Sequence, residues 1–128
     1  MRFHHSDDAP RALGPYSHAV EVDGWLYVSG QTGIDPVTGE LAAGGFEAEA
    51  RQMLKNLEAV LAAAGCTFSH IVRAGIYLTD FANFPALNDL YGKALGDHRP
   101  ARTTIQVAGL PKGAQVEIDV VARIVSIA

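Results

Sequence analysis

Residues 99–122 read RPARTTIQVAGLPKGAQVEIDVVA, two runs of alternating β-branched residues separated by Gly and Pro. The alternation predicts strands at Arg102–Val107 and Gln115–Val125. In the second run Val116, Ile118, Val120, Ala122 and Ile124 point one way, and Glu117, Asp119, Val121, Arg123 and Val125 the other. The first set is a core face. The second mixes charges with valines, as Arg102, Thr104 and Gln106 do against the more apolar Thr103, Ile105 and Val107. A face of that kind is too apolar for open water and too polar for a core. It is expected to meet another chain, with Arg102 and Glu117 together on the side of the sheet away from any helix, in a polar cleft.

Upstream, SHAVEVDGWLYVSG divides into strands at Ser17–Val22 and Trp25–Ser29 around Asp23-Gly24, a dipeptide suited to a tight hairpin turn. Pro and Gly at turn spacing then mark a loop to Gly45. From Phe46, the residues Ala50, Met53, Leu54, Leu57, Val60, Leu61 and Ala64 recur at helical spacing, with Glu47, Arg51, Lys55 and Glu58 opposite and Gly65 as the stop. HIVRAGIYLTD reads as a strand. NFPALNDLYGKAL reads as a shorter helix, with Asn83 as its cap and Pro85 in the first turn. The predicted order is β-β-α-β-α-β-β in one domain over residues 1–128, an α+β fold with two helices on one face of a mixed sheet.

Composition narrows the function. The chain has 128 residues, 48% hydrophobic and 19% charged, as a globular domain does. No apolar run approaches the length of a bilayer span and the first residues lack a signal-peptide core, so a cytoplasmic location is expected. Cys66 stands alone, which excludes an internal disulfide and suits a buried bystander. A net charge of −4 with no cluster of Lys and Arg speaks against a nucleic-acid partner, although Arg99 with Arg102 would hold one small anion. His4, His5, His18, His70 and His98 show no metal-ligand spacing, and no phosphate loop or nucleophile elbow is present. Neither metal nor cofactor is expected.

What remains is Arg102 and Glu117, with Tyr16 in GPYSHA and Asn88 in ALNDLYG nearby as candidates. Residue chemistry leaves two readings open: a substrate anchor with a carboxylate base, or an ion pair between subunits. Tyr16 as a turn aromatic, Asn88 as an exposed helix residue and Ser29 as a strand-end hydroxyl are the plain structural alternatives.

The runs GPYSHAV, YVSGQTGIDPVTGE, LNDLYG and PARTTIQVAGLPKGAQVEI resemble the RidA (YjgF-type) family of reactive intermediate/imine deaminases, a resemblance that extends in order from about Gly14 to Ile124. The resemblance implies a chorismate-mutase-like fold and a homotrimer with sites between subunits. It implies hydrolysis of 2-imino acids of the 2-aminoacrylate or 2-aminocrotonate type to 2-oxo acids and ammonia. By position, Arg102 would anchor the substrate carboxylate and Glu117 would hold and polarise the attacking water. Tyr16, Ser29, Gly30 and Asn88 match other cleft positions. Thr104 stands where many members carry cysteine, which bears on substrate range. An aminomuconate-type deaminase, a carboxylate-binding or chaperone-like module, and an endoribonuclease are the alternatives that the same fold admits.

Overall fold

Asp23 and Gly24 both adopt positive φ, 52° and 80°, the mirror-image turn whose twist matches paired strands. They close β2 (Ala19–Val22) onto β3 (Trp25–Thr32) in the computed structural model, which describes residues 1–124. A strand not anticipated from the sequence precedes them. β1 (Arg2–His4) pairs antiparallel with β2 and forms one edge of the sheet, fastened by His4 against Glu21. Its three residues are too few for alternation to register.

The remaining elements follow the predicted order: α1 (Phe46–Ala63), β4 (Ile71–Leu78), α2 (Phe84–Leu95), β5 (Ala101–Gln106) and β6 (Val116–Arg123). The sheet runs β1-β2-β3-β6-β4-β5, and β4–β5 is its parallel pair, bridged by α2. Both helices cover one face. Met53, Leu57, Val60 and Leu61 of α1 are wholly buried against Leu26, Ile118 and Ile76 of the sheet. The polar face of α1 is outside, as its spacing required. Asn83 does not cap α2 with its side chain. A 3-10 turn over Phe81–Asn83 leads into the helix instead, and Asp80 caps that turn by accepting from the Ala82 amide.

Polar residues of α1 fix the loop after β3. Asn56 is fully buried and donates through Nδ2 to the carbonyls of Thr32 and Ile34, while Gln52 donates to its Oδ1. Buried Glu49 accepts from the backbone and side-chain nitrogens of Gln115, tying α1 to the entrance of β6. The helix passes so close to Gly33 that a side chain there would strike the Glu49 backbone. Asn56→Ala would strand two carbonyls in the interior. It is expected to cost about 2–4 kcal/mol, read from the shift in urea midpoint, because each buried acceptor left unmatched carries its own desolvation penalty.

Cys66 is buried and burial pushes its thiol up from the ordinary value, with Glu21 adding to the rise. A thiol so placed is a poor nucleophile. None of the helices in the described residues is long and apolar enough to cross a membrane.

Candidate active site

Strand register separates the two residues that the sequence put side by side. Residues paired across a ladder point to the same face, and Arg102 pairs with Ala74, a core residue beneath the helices. Glu117 pairs with Tyr77 and Thr32 and projects from the opposite, open face. Arg102 and Glu117 therefore do not share the non-helix side. The alternation of β5 was legible, but its phase depends on the parallel pairing with β4, which no residue in β5 announces. In one chain the two groups are not joined.

Glu117 sits where β3 is irregular. Val28 pairs with Val120 and Gln31 with Ile118, so β3 carries one extra residue at Ser29-Gly30, a bulge of the kind that re-aims backbone beside a site. Ser29 is held by the structure rather than free: its hydroxyl donates to the Ser17 carbonyl at 2.6 Å and its amide to the His18 carbonyl. Gly30 lies against Glu117. A Cβ there would stand 2.8 Å from the Glu117 carboxyl carbon and 3.1 Å from both its oxygens. Glycine is what lets the carboxylate lie flat on the strand. Gly30→Ala is expected to displace that carboxylate and reduce turnover at least about tenfold, with the thermal midpoint moving by a few degrees at most. Thermal unfolding beside the activity assay separates those two effects.

Tyr16 joins this group. It lines the small pocket that Gly30, Thr32 and Glu117 form with Arg11 and His18. His18 pins the wall: Nε2 donates to the Pro10 carbonyl at 2.7 Å and Nδ1 accepts from the Ser6 amide. Burial pushes the Glu117 carboxyl above the usual carboxylate range, and the neighbouring Asp119 raises it further. Asp119 is itself engaged, accepting from the Tyr77 hydroxyl at 2.8 Å. No cation pairs with Glu117 among the described residues.

Arg102 belongs to a different recess, of about 300 Å³, under the C-terminal half of α2. Its guanidinium carbon lies 5.5 Å from the Phe84 ring centre and 5.2 Å from that of Tyr91. The rings steady the cation without using its hydrogen-bond donors. Asn88 lines the same recess, so the helix residues 84, 88 and 91 share the face turned to Arg102. Asn88 is half-buried, not exposed as its position suggested. Thr104 lies two residues along β5 on the same face. Two buried polar atoms of the recess, Asn88 Oδ1 and the Tyr91 hydroxyl, have no partner among the described residues, and neither has Thr104 Oγ1 farther along the strand. Unmatched buried polar groups gathered around an unpaired cation mark a place for a polar ligand.

The site thus falls into two halves. Tyr16, Gly30 and Glu117 form one; Asn88, Arg102 and Thr104 form the other. The Phe84 and Tyr91 rings, not singled out from the sequence, complete the second half, and their spacing with Asn88 on α2 was the available signal. No group of His, Cys, Asp and Glu able to hold a metal ion occurs among the described residues.

Residues 6–124 match the family described as Endoribonuclease L-PSP. Over 120 residues, 92% of each chain, the sequence is 49% identical to Protein DfrA of Myxococcus xanthus. It is 47% identical over 114 residues to the human 2-iminobutanoate/2-iminopropanoate deaminase, covering 89% of this chain and 83% of that one. Among solved structures, RidA from an Antarctic Psychrobacter superimposes with a TM-score of 0.93 at 42% identity, covering 97% of this chain and all of the other.

Proposed function

The chain belongs to the Endoribonuclease L-PSP (RidA, YjgF-type) family, and from that premise we propose that it hydrolyses 2-imino acids to 2-oxo acids and ammonia. The observation that carries the reading is Glu117, a carboxylate partly withdrawn from water, in no ion pair among the described residues and laid against the bare Cα of Gly30. Such a carboxylate is a stronger base than one in water, and an iminium carbon asks for little more than an aimed water.

The steps balance with these residues alone. Water adds through its oxygen to the iminium carbon, and its proton passes to Glu117. The carbinolamine nitrogen takes that proton back, the C–N bond breaks with its electron pair, and ammonia leaves. The remaining hydroxyl proton is lost as the carbonyl forms, giving a 2-oxo acid and ammonium. Arg102 holds the substrate carboxylate through two parallel N–H donations, a geometry its unspent donors allow. Thr104 and Asn88 supply polar contacts around it, and Tyr16 closes the wall beside Glu117.

Because Arg102 and Glu117 leave the sheet on opposite faces, the complete site is made between copies of the chain, which we take to be a homotrimer. The open face supports this assembly, since Tyr27 and Ile105 stand 50% and 45% exposed on it. A stable, active monomer by light scattering would overturn it. A net charge of −4 disfavours a phosphate-dense RNA as the substrate.

The test is a coupled assay in which a serine or threonine dehydratase releases the imine and 2-oxo acid appearance is followed. Acceleration beyond spontaneous hydrolysis is expected. Its absence for 2-iminopropanoate, 2-iminobutanoate and longer 2-imino acids alike would overturn the assignment.

A further inference from the structure

The recess that Arg102 lines contains a second guanidinium, Arg99, with Pro100 between them to fix the chain. Arg99 follows the end of α2 and donates through one nitrogen, Nη1, to the carbonyls of Gly96 and His98, at 2.6 and 2.8 Å. That contact braces the turn after the helix and leaves Nη2 and Nε unspent among the described residues. Among the described residues no acidic side chain lines the recess, and no ion pair engages either arginine. Arg102, half-buried, and Arg99, exposed at the rim, line one cavity without a counter-charge, and the Tyr91 hydroxyl of the same cavity is buried and unpartnered among the described residues. Burial raises the Tyr91 hydroxyl above its ordinary value, while Arg102 and then Arg99 pull it down, so both cations act at that atom.

One carboxylate can satisfy one guanidinium in the two-pronged manner. The second cation calls for a second anion. We propose that Arg99 is a specificity residue that receives the distal carboxylate of the substrate, so that this chain takes short dicarboxylic 2-imino acids in preference to monocarboxylic ones. The inference rests on the imine-deaminase reading above and adds the substrate class. The reaction is unchanged: water is added, ammonium leaves, and the distal carboxylate is bound without reacting. Tyr91, through its free hydroxyl, donates to a carboxylate oxygen bound in the recess.

The experiment compares 2-iminoglutarate or 2-iminosuccinate, made in situ by an amino-acid oxidase, with 2-iminopropanoate made by the same class of enzyme. The wild-type chain is expected to favour the dicarboxylic imines in kcat/KM. In Arg99→Ala the ratio of dicarboxylic to monocarboxylic kcat/KM should fall about ten- to a hundredfold, the range for one charge-assisted hydrogen bond. Arg99→Gln retains a donor for the Gly96 carbonyl and should show the same fall, which separates lost charge from a frayed helix end. Arg99→Lys should recover part of the ratio. Calorimetric titration with 2-oxoglutarate and pyruvate supplies a readout independent of turnover, and the loss should be confined to 2-oxoglutarate. An unchanged ratio in both Ala and Gln variants overturns the proposal. So does a wild-type preference for 2-iminopropanoate, while leaving the deaminase reading intact; failure to accelerate any imine overturns both.

Discussion

Glu117→Gln is expected to lower kcat about a hundred- to ten-thousandfold, the usual contribution of a positioned general base, while binding of a 2-oxo acid product changes little. The amide keeps the size and flat shape that Gly30 accommodates, so the carboxylate's place is filled without a base. Coupled-assay kinetics with calorimetric titration of pyruvate or 2-oxobutyrate make the check. Equal loss of binding and turnover would mean that Glu117 holds the assembly together rather than the water.

The pH behaviour of the same residue has a definite sign. Its pKa is raised in the folded chain by desolvation and by Asp119, so wild-type kcat/KM should fall as pH drops through that raised value. Glu117→Gln should lack that limb. Stability runs the other way. Above the raised pKa the folded chain carries an ionised carboxylate that it disfavours, and below the ordinary carboxylate value both states are neutral. Glu117→Gln is therefore expected to be the more stable protein near neutrality, with the gain fading as pH falls between the raised and the ordinary pKa. The group is partly open to water, so the gain is small; urea midpoints at about pH 7 and about pH 4 would bracket it.

Much of this was legible from the chain. The heptad-like spacing over residues 46–64, the Asp23-Gly24 turn and the alternation of β6 each rest on a local rule with one outcome, and the structure follows them. What was not legible depends on partners distant in sequence. The face taken by Arg102 is set by β4, twenty-eight residues earlier at Ala74, through a parallel register that side-chain alternation in β5 leaves free. The bulge at Ser29-Gly30 is likewise invisible until β6 lies beside it, although a glycine within a strand run is its usual mark. Glu49 and Asn56 are polar residues that the helical pattern does not assign to the core, and each is buried because the loop after β3 and the entry to β6 bring backbone groups that need them. The candidate residues were picked out by type, whereas their division between two faces of the sheet was not legible.

That division makes Arg102→Ala the sharpest test of the anchor. The guanidinium lies beside the Phe84 and Tyr91 rings, and among the described residues no acidic side chain pairs with it, so none of them needs its charge. Its removal should leave the fold intact apart from lost stacking, and the thermal midpoint should stay within several degrees of wild type. Against substrate the loss should be large, about 2–5 kcal/mol or thirty-fold to several thousandfold in kcat/KM, because the carboxylate would lose its two-pronged partner and Arg99, already donating to backbone carbonyls, would replace only part of it. Arg102→Lys should restore only a fraction, since an ammonium gives a point charge where two parallel donors are wanted. The measurement is kcat/KM in the coupled assay together with product titration, and here both should fall, whereas Glu117→Gln depresses turnover alone. Full turnover by Arg102→Ala would remove the carboxylate anchor and, with it, the reason for ascribing imine hydrolysis to this pair of residues.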